Sequence, residues 1–596
     1  MSDLLALPKP KIRKRQLDGA IENHCLAQGL HPLLARIIAS RPVPVGLAAH
    51  EMLLPKLAAL ESPYAMTDIK KAALRLANAI VNKEHIGIET DHDCDGQTSH
   101  AVIFYNLSVY FKHPTKHIYS YIGHRLNEGY GLTDPVVDRI LQGTPKAKLI
   151  ITADNGSSDE PRIKRLKDAG IDVIVTDHHE IPVEGIPASA YACLNPARAD
   201  CNYQDKCISG CMVAWLLMVA TRDELINLGY LPDNAPKLVD SLDFVAVGTI
   251  ADCVSMAQSK NNRAVVAYGL KYIQAGVRPC WRALQSLFNS QITSEDLAFK
   301  IAPLLNSDGR LASAFGSVSF LLAENDIVAK EWVIQLKELN KQRKSIQKEI
   351  TLLGLKQAIE QVKAKHLALS IFLEDSHAGV HGISASHIKE YFGRPTAFFA
   401  PKVNSADLIT GSIRGIDNFH VRDALQFMAN INTELFISFG GHKGAGGVTL
   451  KKAYFSQFVT LFEQAVRTQL GEVELGPTIL TDGELPAEWI NLEILQELSK
   501  LEPFGREFEL PIFQAKAKLM NLRVIGDGAH ARITLEIAGN IYQGVWFNMR
   551  QTNTAAIEVN SSDHVFVVYA LKLNEFNGSK RCELQIICMH KAVDNG

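Results

Sequence analysis

Residues 85–96 read HIGIETDHDCDG. A short apolar run rich in β-branched residues comes first, and four carboxylates at alternating positions follow: Glu89, Asp91, Asp93 and Asp95. The apolar run reads as a buried strand. Continued as an extended backbone, it would set the alternating carboxylates on one face. Their mutual repulsion is costly unless cations neutralise it. Three further runs of the same kind follow: HIYSYIGHR (117–125), AKLIITAD (147–154) and IDVIVTDHH (171–179). Amphipathic helical stretches separate them, including Pro135 to Leu141, with Asp134 as expected N-cap, and Pro161 to Ala169. This alternation predicts an α/β fold with a doubly wound parallel sheet. Acidic residues and histidines gather at the ends of these strands, where such sheets form their ligand crevice.

The strand ends supply a mixed ligand set. Asp154 closes one strand with Gly156 just beyond, and Asp177, His178 and His179 close another. Asp252 follows the apolar stretch DFVAVGTIA, where it could serve as ligand or as cap. Carboxylates mixed with imidazole favour manganese or magnesium over a thiolate-held metal. So many donors suit two cations about 3.5–4 Å apart, the arrangement of metal-dependent phosphoester hydrolysis. Asp91, Asp93, Asp95 and Gly96 also fit the first half of a calcium-binding EF-hand loop. That loop needs a glutamate at its twelfth position, which here is Val102, and a helix rather than a strand before it. No Walker phosphate loop and no seryl or cysteinyl nucleophile motif is evident.

The rest of the chain frames this segment. At 596 residues it has room for about four domains. Hydrophobic residues at 47% and charged residues at 21% are ordinary globular values. The most apolar stretch, Cys211 to Ala220, is half the length a membrane span needs and ends at Thr221-Arg222. The first residues, MSDLLALPKPKIRKRQ, put an apolar patch before the charges, the reverse of a signal peptide, so a cytoplasmic protein is expected. The net charge of −2 neither indicates nor excludes nucleic-acid binding, which needs only a local basic groove. Of ten cysteines, only Cys201, Cys207 and Cys211 cluster, at spacings that match no paired zinc motif, so buried reduced thiols are expected.

Five regions follow: an N-terminal helical arm (1–60) with a basic start, the α/β domain (61–324), a connector helix (325–367), a second, glycine-rich α/β domain (368–470) and a terminal all-β domain (471–596). The basic start is either a solvated arm or a contact to phosphates. In the connector, Ile334, Leu336, Leu339, Ile346 and Ile350 are expected to form one buried stripe, and its exposed charges suit a helix bridging two domains.

The order DHDCDG, ADNG, TDHHE, GTIADCV resembles the four motifs of the DHH phosphoesterase family, named for the triplet Asp177-His178-His179. RLNEGYGL (125–132), LNPARADCNY (194–203), LLNSDGRL (304–311), HAGVHGISASHIKEYFGRP (377–395), FGGHKGAGG (439–447) and LEPFGREFELPIF (501–513) narrow the resemblance to its single-strand-specific 5′→3′ DNA exonucleases. It runs from about residue 65 to near the C-terminus.

The resemblance implies a DHH domain, a DHHA1-like substrate-binding domain and an OB-fold-like nucleic-acid-binding domain. It implies two Mn2+ or Mg2+ ions. Glu89, Asp93 and a bridging Asp154 would hold one, and Asp95, Asp154, His178 and Asp252 the other. His179 would contact the scissile phosphate and Asp177 would orient its neighbours. Arg310, Ser412, Arg414 and His442 would bind backbone phosphates, with Arg125 to Tyr130 near the DNA 5′ end. Two lobes joined by the long helix would enclose a cleft too narrow for a duplex.

Glu89 stands where the family commonly has histidine, and His92 and Cys94 replace the usual tyrosine and alanine. Asp308 is added near a phosphate site, and Lys443 could strengthen phosphate binding. In the terminal domain Tyr542, Trp546, Phe547 and Phe576 are candidates for base stacking, or for barrel core, beside Arg532, Lys572, Lys580 and Arg581. Single-stranded DNA is the implied partner, with a single-strand-binding protein and a RecQ-like helicase as family-level candidates. Two other functions fit less well: a DHH hydrolase of short oligonucleotides or cyclic dinucleotides, against which the extra β domain argues, and a non-catalytic replication-fork scaffold, which should have lost metal ligands.

Overall fold

The structure is a computed structural model. It describes residues 8–592 except 45–48, 125–127, 289–290, 312, 404, 406, 527, 550–558 and 577. The chain divides into two compact units. One comprises Arg41–Arg343 with Leu501–Glu509; the other comprises Met1–Ser40, Lys344–Lys500 and Leu510–Gly596.

The predicted helical arm at 1–60 is corrected in two ways. Its basic start is a strand, β1 (Lys11–Lys14), and the region splits between the two units after Ser40. Strand β1 pairs in parallel with a strand more than 450 residues later in the chain, at Thr478–Thr481. Arg36 Nη2 then donates to Glu484 O (3.2 Å) and Ser40 Oγ to Asp482 Oδ1 (3.1 Å). A four-residue strand completed by such a distant partner leaves no local periodicity to read.

In the first unit, β2 (Ile86–Thr90), β3 (Ile118–Ile122), β4 (Leu149–Ala153), β5 (Asp172–Thr176) and β6 (Ala192–Leu194) form a parallel sheet in the order β3-β2-β4-β5-β6. Every residue of β2 and β4 is buried, the signature of strands covered on both faces. Helices Asp134–Gln142 and Glu160–Asp168 seal one face through Val136, Val137, Ile140, Ile163 and Leu166, packed with Ile150 and Val173. Thr133, not Asp134, is the N-cap of the first; Asp134 and Pro135 lie in its opening turn. Helices Cys94–Tyr105, Gly210–Asn227 and Leu242–Ala251 pack on one another, and the last is buried along almost its whole length.

The helix Asp326–Lys363 starts in this unit and ends in the other. Its stripe differs from the expected one: Ile334 is 66% exposed, whereas Val333, Leu336, Arg343 and Ile350 are buried. The seven-residue spacing of Leu336, Arg343 and Ile350 places an arginine on the buried side, a position that an apolar count skips.

In the second unit, β7 (Leu369–Phe372), β8 (Thr396–Pro401), β9 (Leu408–Arg414), β10 (Ser438–Gly441) and β11 (Ala445–Lys451) form a mixed sheet in the order β10-β11-β9-β8-β7. Only the β7–β8 pair is parallel. After β12 (Thr478–Thr481) and the helix Leu492–Ser499, strands β13 (Phe513–Ile525), β14 (His530–Ile537), β15 (Asn540–Trp546), β16 (His564–Phe576) and β17 (Ser579–Lys591) close a barrel in the order β13-β14-β15-β17-β16. Closure leaves no free sheet edge.

The segment Leu501–Glu509, expected within the terminal domain, belongs to the first unit. Arg263, fully buried, holds it there. Its guanidinium donates to Pro503 O (3.1 Å), Leu501 O (2.9 Å) and Met52 O (2.7 Å) and lies over the Phe508 ring. Burial lowers its pKa to about 10, so it stays charged at neutral pH. Arg263→Ala would strand three carbonyls, and about 3–5 kcal/mol of stability should be lost. Chemical denaturation measures this; an unchanged midpoint would contradict the anchoring role.

Candidate metal centre

The acidic segment does not continue as an extended strand. After β2 the chain turns at Asp91 and His92, and Asp93 becomes the N-cap of helix Cys94–Tyr105. Asp93 Oδ1 accepts from Asp95 N (3.0 Å) and Gly96 N (3.1 Å). The alternation in the sequence therefore spans three local structures: strand, turn and helix start. Asp95 is clamped at the start of helix Gly210–Asn227, where its two oxygens accept from Gly210 N (2.7 Å) and Cys211 N (3.1 Å). An anion suits the positive end of that helix. Asp154 follows β4 in the left-handed region at φ 66°, a strained conformation for a non-glycine residue at a strand end. Asp252 is the C-cap of helix Leu242–Ala251.

These elements bring three groups of ligand-capable atoms together: Asp91, Asp93 and Asp154; Asp95, His178 and Asp252; and Asp154, His178 and His179. Within each, the ligand atoms lie within 4.8 Å of one another. His178 Nε2 is 3.1 Å from Asp154 Oδ1 and 3.6 Å from Asp252 Oδ2. Asp91, for which the sequence reading named no role, occupies the place expected of Glu89. Glu89 is fully buried, neither of its oxygens has a hydrogen bond, and it joins none of these groups. It sits inside β2, whereas the chain has already turned toward Asp93 at Asp91. Asp91 was legible as part of DHDCD; which of two neighbouring carboxylates faces Asp154 depends on where the strand ends.

The donor set fits divalent cations. Asp154 Oδ1 and His178 Nε2 are buried without hydrogen-bond partners. Burial, reinforced by the neighbouring carboxylates, pushes Asp154 and Asp252 well above the ordinary carboxylate range and raises Asp93. Burial also lowers His178, which keeps its ring neutral and able to ligate. Oxygen and imidazole donors without thiolate suit manganese or magnesium.

Asp177 is held differently. Its oxygens accept from Ser157 N (2.9 Å), His178 N (2.7 Å) and His179 N (3.1 Å), and Oδ1 lies 2.8 Å from His179 Nδ1. Burial opposes its charge, but the two histidines and the Ser157 bond outweigh burial and hold the carboxyl low. In turn Asp177 outweighs burial at His179 and raises it. Two glycines let the elements converge. A Cβ on Gly210 would lie 2.6 Å from Asp154 Oδ1, and one on Gly248 would lie 2.6 Å from Asp95 Oδ1.

The other expected residues fall in both units. Tyr130 is 60% exposed, with its ring edge-on to His92 at 4.6 Å; Arg125 lies outside the described residues. Arg310 is on helix Ala302–Leu311. Asp308, expected near a phosphate site, accepts from Ser317 N (2.9 Å) at the start of helix Phe315–Leu321.

In the second unit, β9 carries Ser412 opposite Gly447 and Arg414 opposite Ala445. Gly415 N donates to Gly444 O (2.9 Å), which sets the exposed turn of His442 and Lys443 beside Arg414. In the barrel Trp546 is core, 1% exposed, and Tyr542 donates its hydroxyl to Ala487 O (2.5 Å). Phe547 is exposed and edge-on to His530; Arg532, Lys580 and Arg581 are exposed too, and the Phe576 side chain lies outside the described ones. All ten cysteines are free, and none joins a metal-capable group among the described residues.

Asp154 and His178 are shared between groups, so Asp154→Ala should abolish turnover. It should also remove most of the thermal stabilisation by manganese while DNA binding remains measurable. Retained cleavage would remove Asp154 as the bridging ligand. Gly210→Ala should disturb the same site by steric displacement of Asp154, lowering manganese affinity at least tenfold by calorimetry; wild-type affinity would contradict that packing.

Three family models match in order: the DHH family N-terminal domain over residues 85–249, the DHHA1 domain over 364–468 and the RecJ OB domain over 481–587. The chain is 34% identical over 592 residues to the single-stranded-DNA-specific exonuclease RecJ of Salmonella typhimurium, covering 97% of this chain and 98% of the relative. It is 33% identical to the Escherichia coli protein of the same name, with the same coverage of both chains. The fold is that of the manganese-complexed RecJ crystal structure from Thermus thermophilus, with TM-score 0.77, 24% identity, and 98% of this chain and 80% of that one covered. A second crystal structure, of exonuclease RecJ bound to manganese, aligns with TM-score 0.56 at 28% identity over 68% of this chain and 97% of that one. With identity of this level over nearly its whole length and three domain matches in order, the chain belongs to the RecJ family of DHH phosphoesterases.

Proposed function

We propose that this protein is a two-metal-dependent 5′→3′ exonuclease that hydrolyses single-stranded DNA to nucleoside 5′-monophosphates in DNA repair and recombination. One observation carries the reading: two sets of buried and half-buried ligands, Asp91/Asp93/Asp154 and Asp95/His178/Asp252, with Asp154 Oδ1 and His178 Nε2 in contact between them. Membership in the RecJ family supports single-stranded DNA as substrate.

Bound Mn2+ or Mg2+ would supply the charge that activates water and offsets the developing charge on phosphorus. Asp91, Asp93 and Asp154 would hold one ion, and Asp95, Asp154, His178 and Asp252 the other. Glu89 lies buried on β2, two residues before Asp91, and burial pushes its carboxyl well above the ordinary range, which favours the neutral form. Asp177 fixes His179 through Nδ1 and helps raise its pKa to about 10, so the protonated ring presents Nε2–H to a phosphate oxygen as a donor. Arg310 in the first unit, and Ser412, Arg414 and His442 in the second, would bind backbone phosphates, and the segment Arg125 to Tyr130 would meet the 5′ end. Phe547, exposed on the barrel, offers a stacking ring, and Arg532, Lys580 and Arg581 are exposed cations of the same barrel.

No helix among the described residues is long and apolar enough to cross a membrane. A cytoplasmic location suits the free thiols, and a single-strand-binding protein and a RecQ-like helicase are the protein partners this reading favours.

The test uses 5′-labelled single-stranded DNA, blunt duplex and a dinucleotide, each with manganese, magnesium or chelator. Stepwise release of 5′-mononucleotides from single strands alone, abolished by chelator, is expected. Exclusive cleavage of the dinucleotide would contradict the proposal. His442→Ala should raise KM with little change in kcat, because a backbone-phosphate contact acts mainly in binding; an unchanged KM would remove that role.

A further inference from the structure

The segment Asn306-Ser-Asp-Gly-Arg310 does more than present an arginine. Asn306 and Arg310 are four residues apart on helix Ala302–Leu311 and so share one face. Asn306 Oδ1 accepts a hydrogen bond from Cys94 N at 2.9 Å, across 212 positions of sequence. Cys94 is the first residue of the helix that carries the metal-site carboxylates. The first amides of any helix have no partner within it. Here Asp93 takes the amides of Asp95 and Gly96, and Cys94 N goes to Asn306.

The neighbouring residues of the segment reinforce the same contact. Gly309 abuts the His92 carbonyl so closely that a Cβ would overlap it. That carbonyl also accepts from Gln97 Nε2 at 2.9 Å, so the acidic loop is held from both sides. Asp308 caps helix Phe315–Leu321, and Ser307 Oγ is turned inward to Leu304 O (2.6 Å). Water could satisfy a lone amide at a helix start, and a local side chain could cap it. An acceptor on the arginine's own helix does something further: it ties the guanidinium to the carboxylates.

We infer that Asn306 is a positioning residue that fixes Arg310 relative to the Asp91–Asp95 loop, so that the phosphate-binding cation and the metal-binding carboxylates behave as one rigid group. The inference rests on the phosphate role proposed for Arg310. A displacement of the guanidinium by about 1 Å is enough to cost up to a hundredfold in rate. Asn306 would touch neither the substrate nor an ion and would act only through its neighbour.

A double-mutant cycle on the full chain tests it. Asn306→Ala, Arg310→Ala and the double variant are compared by fluorescence anisotropy with a labelled single-stranded oligothymidylate in chelator, and by kcat and KM with manganese. Arg310→Ala is expected to weaken binding about tenfold, the worth of one charged hydrogen bond. Asn306→Ala should weaken it several-fold and lower kcat more than it raises KM. In the Arg310→Ala background, Asn306→Ala should add less than twofold in either readout, because the group it positions is gone. Effects that simply multiply would overturn the inference, as would an Asn306→Ala protein with wild-type kcat and binding. Arg310→Ala with wild-type binding would overturn the phosphate role itself, and the coupling with it. Should Asn306→Ala fail to fold, Asn306→Ser, which shortens the acceptor, takes its place in the same cycle under the same criteria.

Discussion

Unbalanced negative charge buried at the carboxyl edge of a parallel sheet is the constraint on which the first unit depends. Asp91, Asp93, Asp95, Asp154 and Asp252 converge with one neutral imidazole, and burial resists the ionisation of several of them. Such a cluster is tolerable only if protonated or paired with cations. The surrounding elements hold it open rather than relieve it. The start of helix Gly210–Asn227 clamps Asp95, the left-handed backbone of Asp154 aims that carboxylate inward, and Gly210 and Gly248 surrender their side chains to the approach. Convergence of this kind costs stability and is expected where it serves binding or catalysis.

Each unit carries part of the phosphate-binding set proposed above. In the first unit, Arg310 shares a helix with the acceptor that caps the carboxylate helix, so cation and anions are set by one another. In the second, Ser412, Arg414 and the His442 turn lie along adjacent strands β9, β10 and β11, on glycine-rich backbone. Both arrangements use rigid elements rather than long loops, which suits precise placement of a flexible substrate.

Much of this was legible in the sequence. The sheet strands betrayed themselves as apolar runs ending in acids or histidines, and the runs read at 85–91, 117–125, 147–154 and 171–179 each enclose an observed strand. The acidic and histidine ends named Asp93, Asp95, Asp154, His178 and Asp252. Other features were not legible. Whether Glu89 or Asp91 faces Asp154 turns on the residue at which a strand gives way to a turn, and strand ends are the least determined part of a periodic pattern. The KIRK strand depends on a partner hundreds of residues away. The helix-capping role of Asp308 was hidden too, because its partner, Ser317 N, becomes visible only once two helices are packed. For Trp546 the sequence left open stacking ring or barrel core, and the structure buries it, at 1% exposed.

Anomalous diffraction from crystals of the protein soaked in manganese bears most directly on the central claim. Two peaks about 3.5–4 Å apart are expected. Asp154 should lie within bonding distance of both, with Asp91 and Asp93 beside one and Asp95, His178 and Asp252 beside the other. A single peak away from Asp154, or no bound manganese at saturating concentration, would contradict the account.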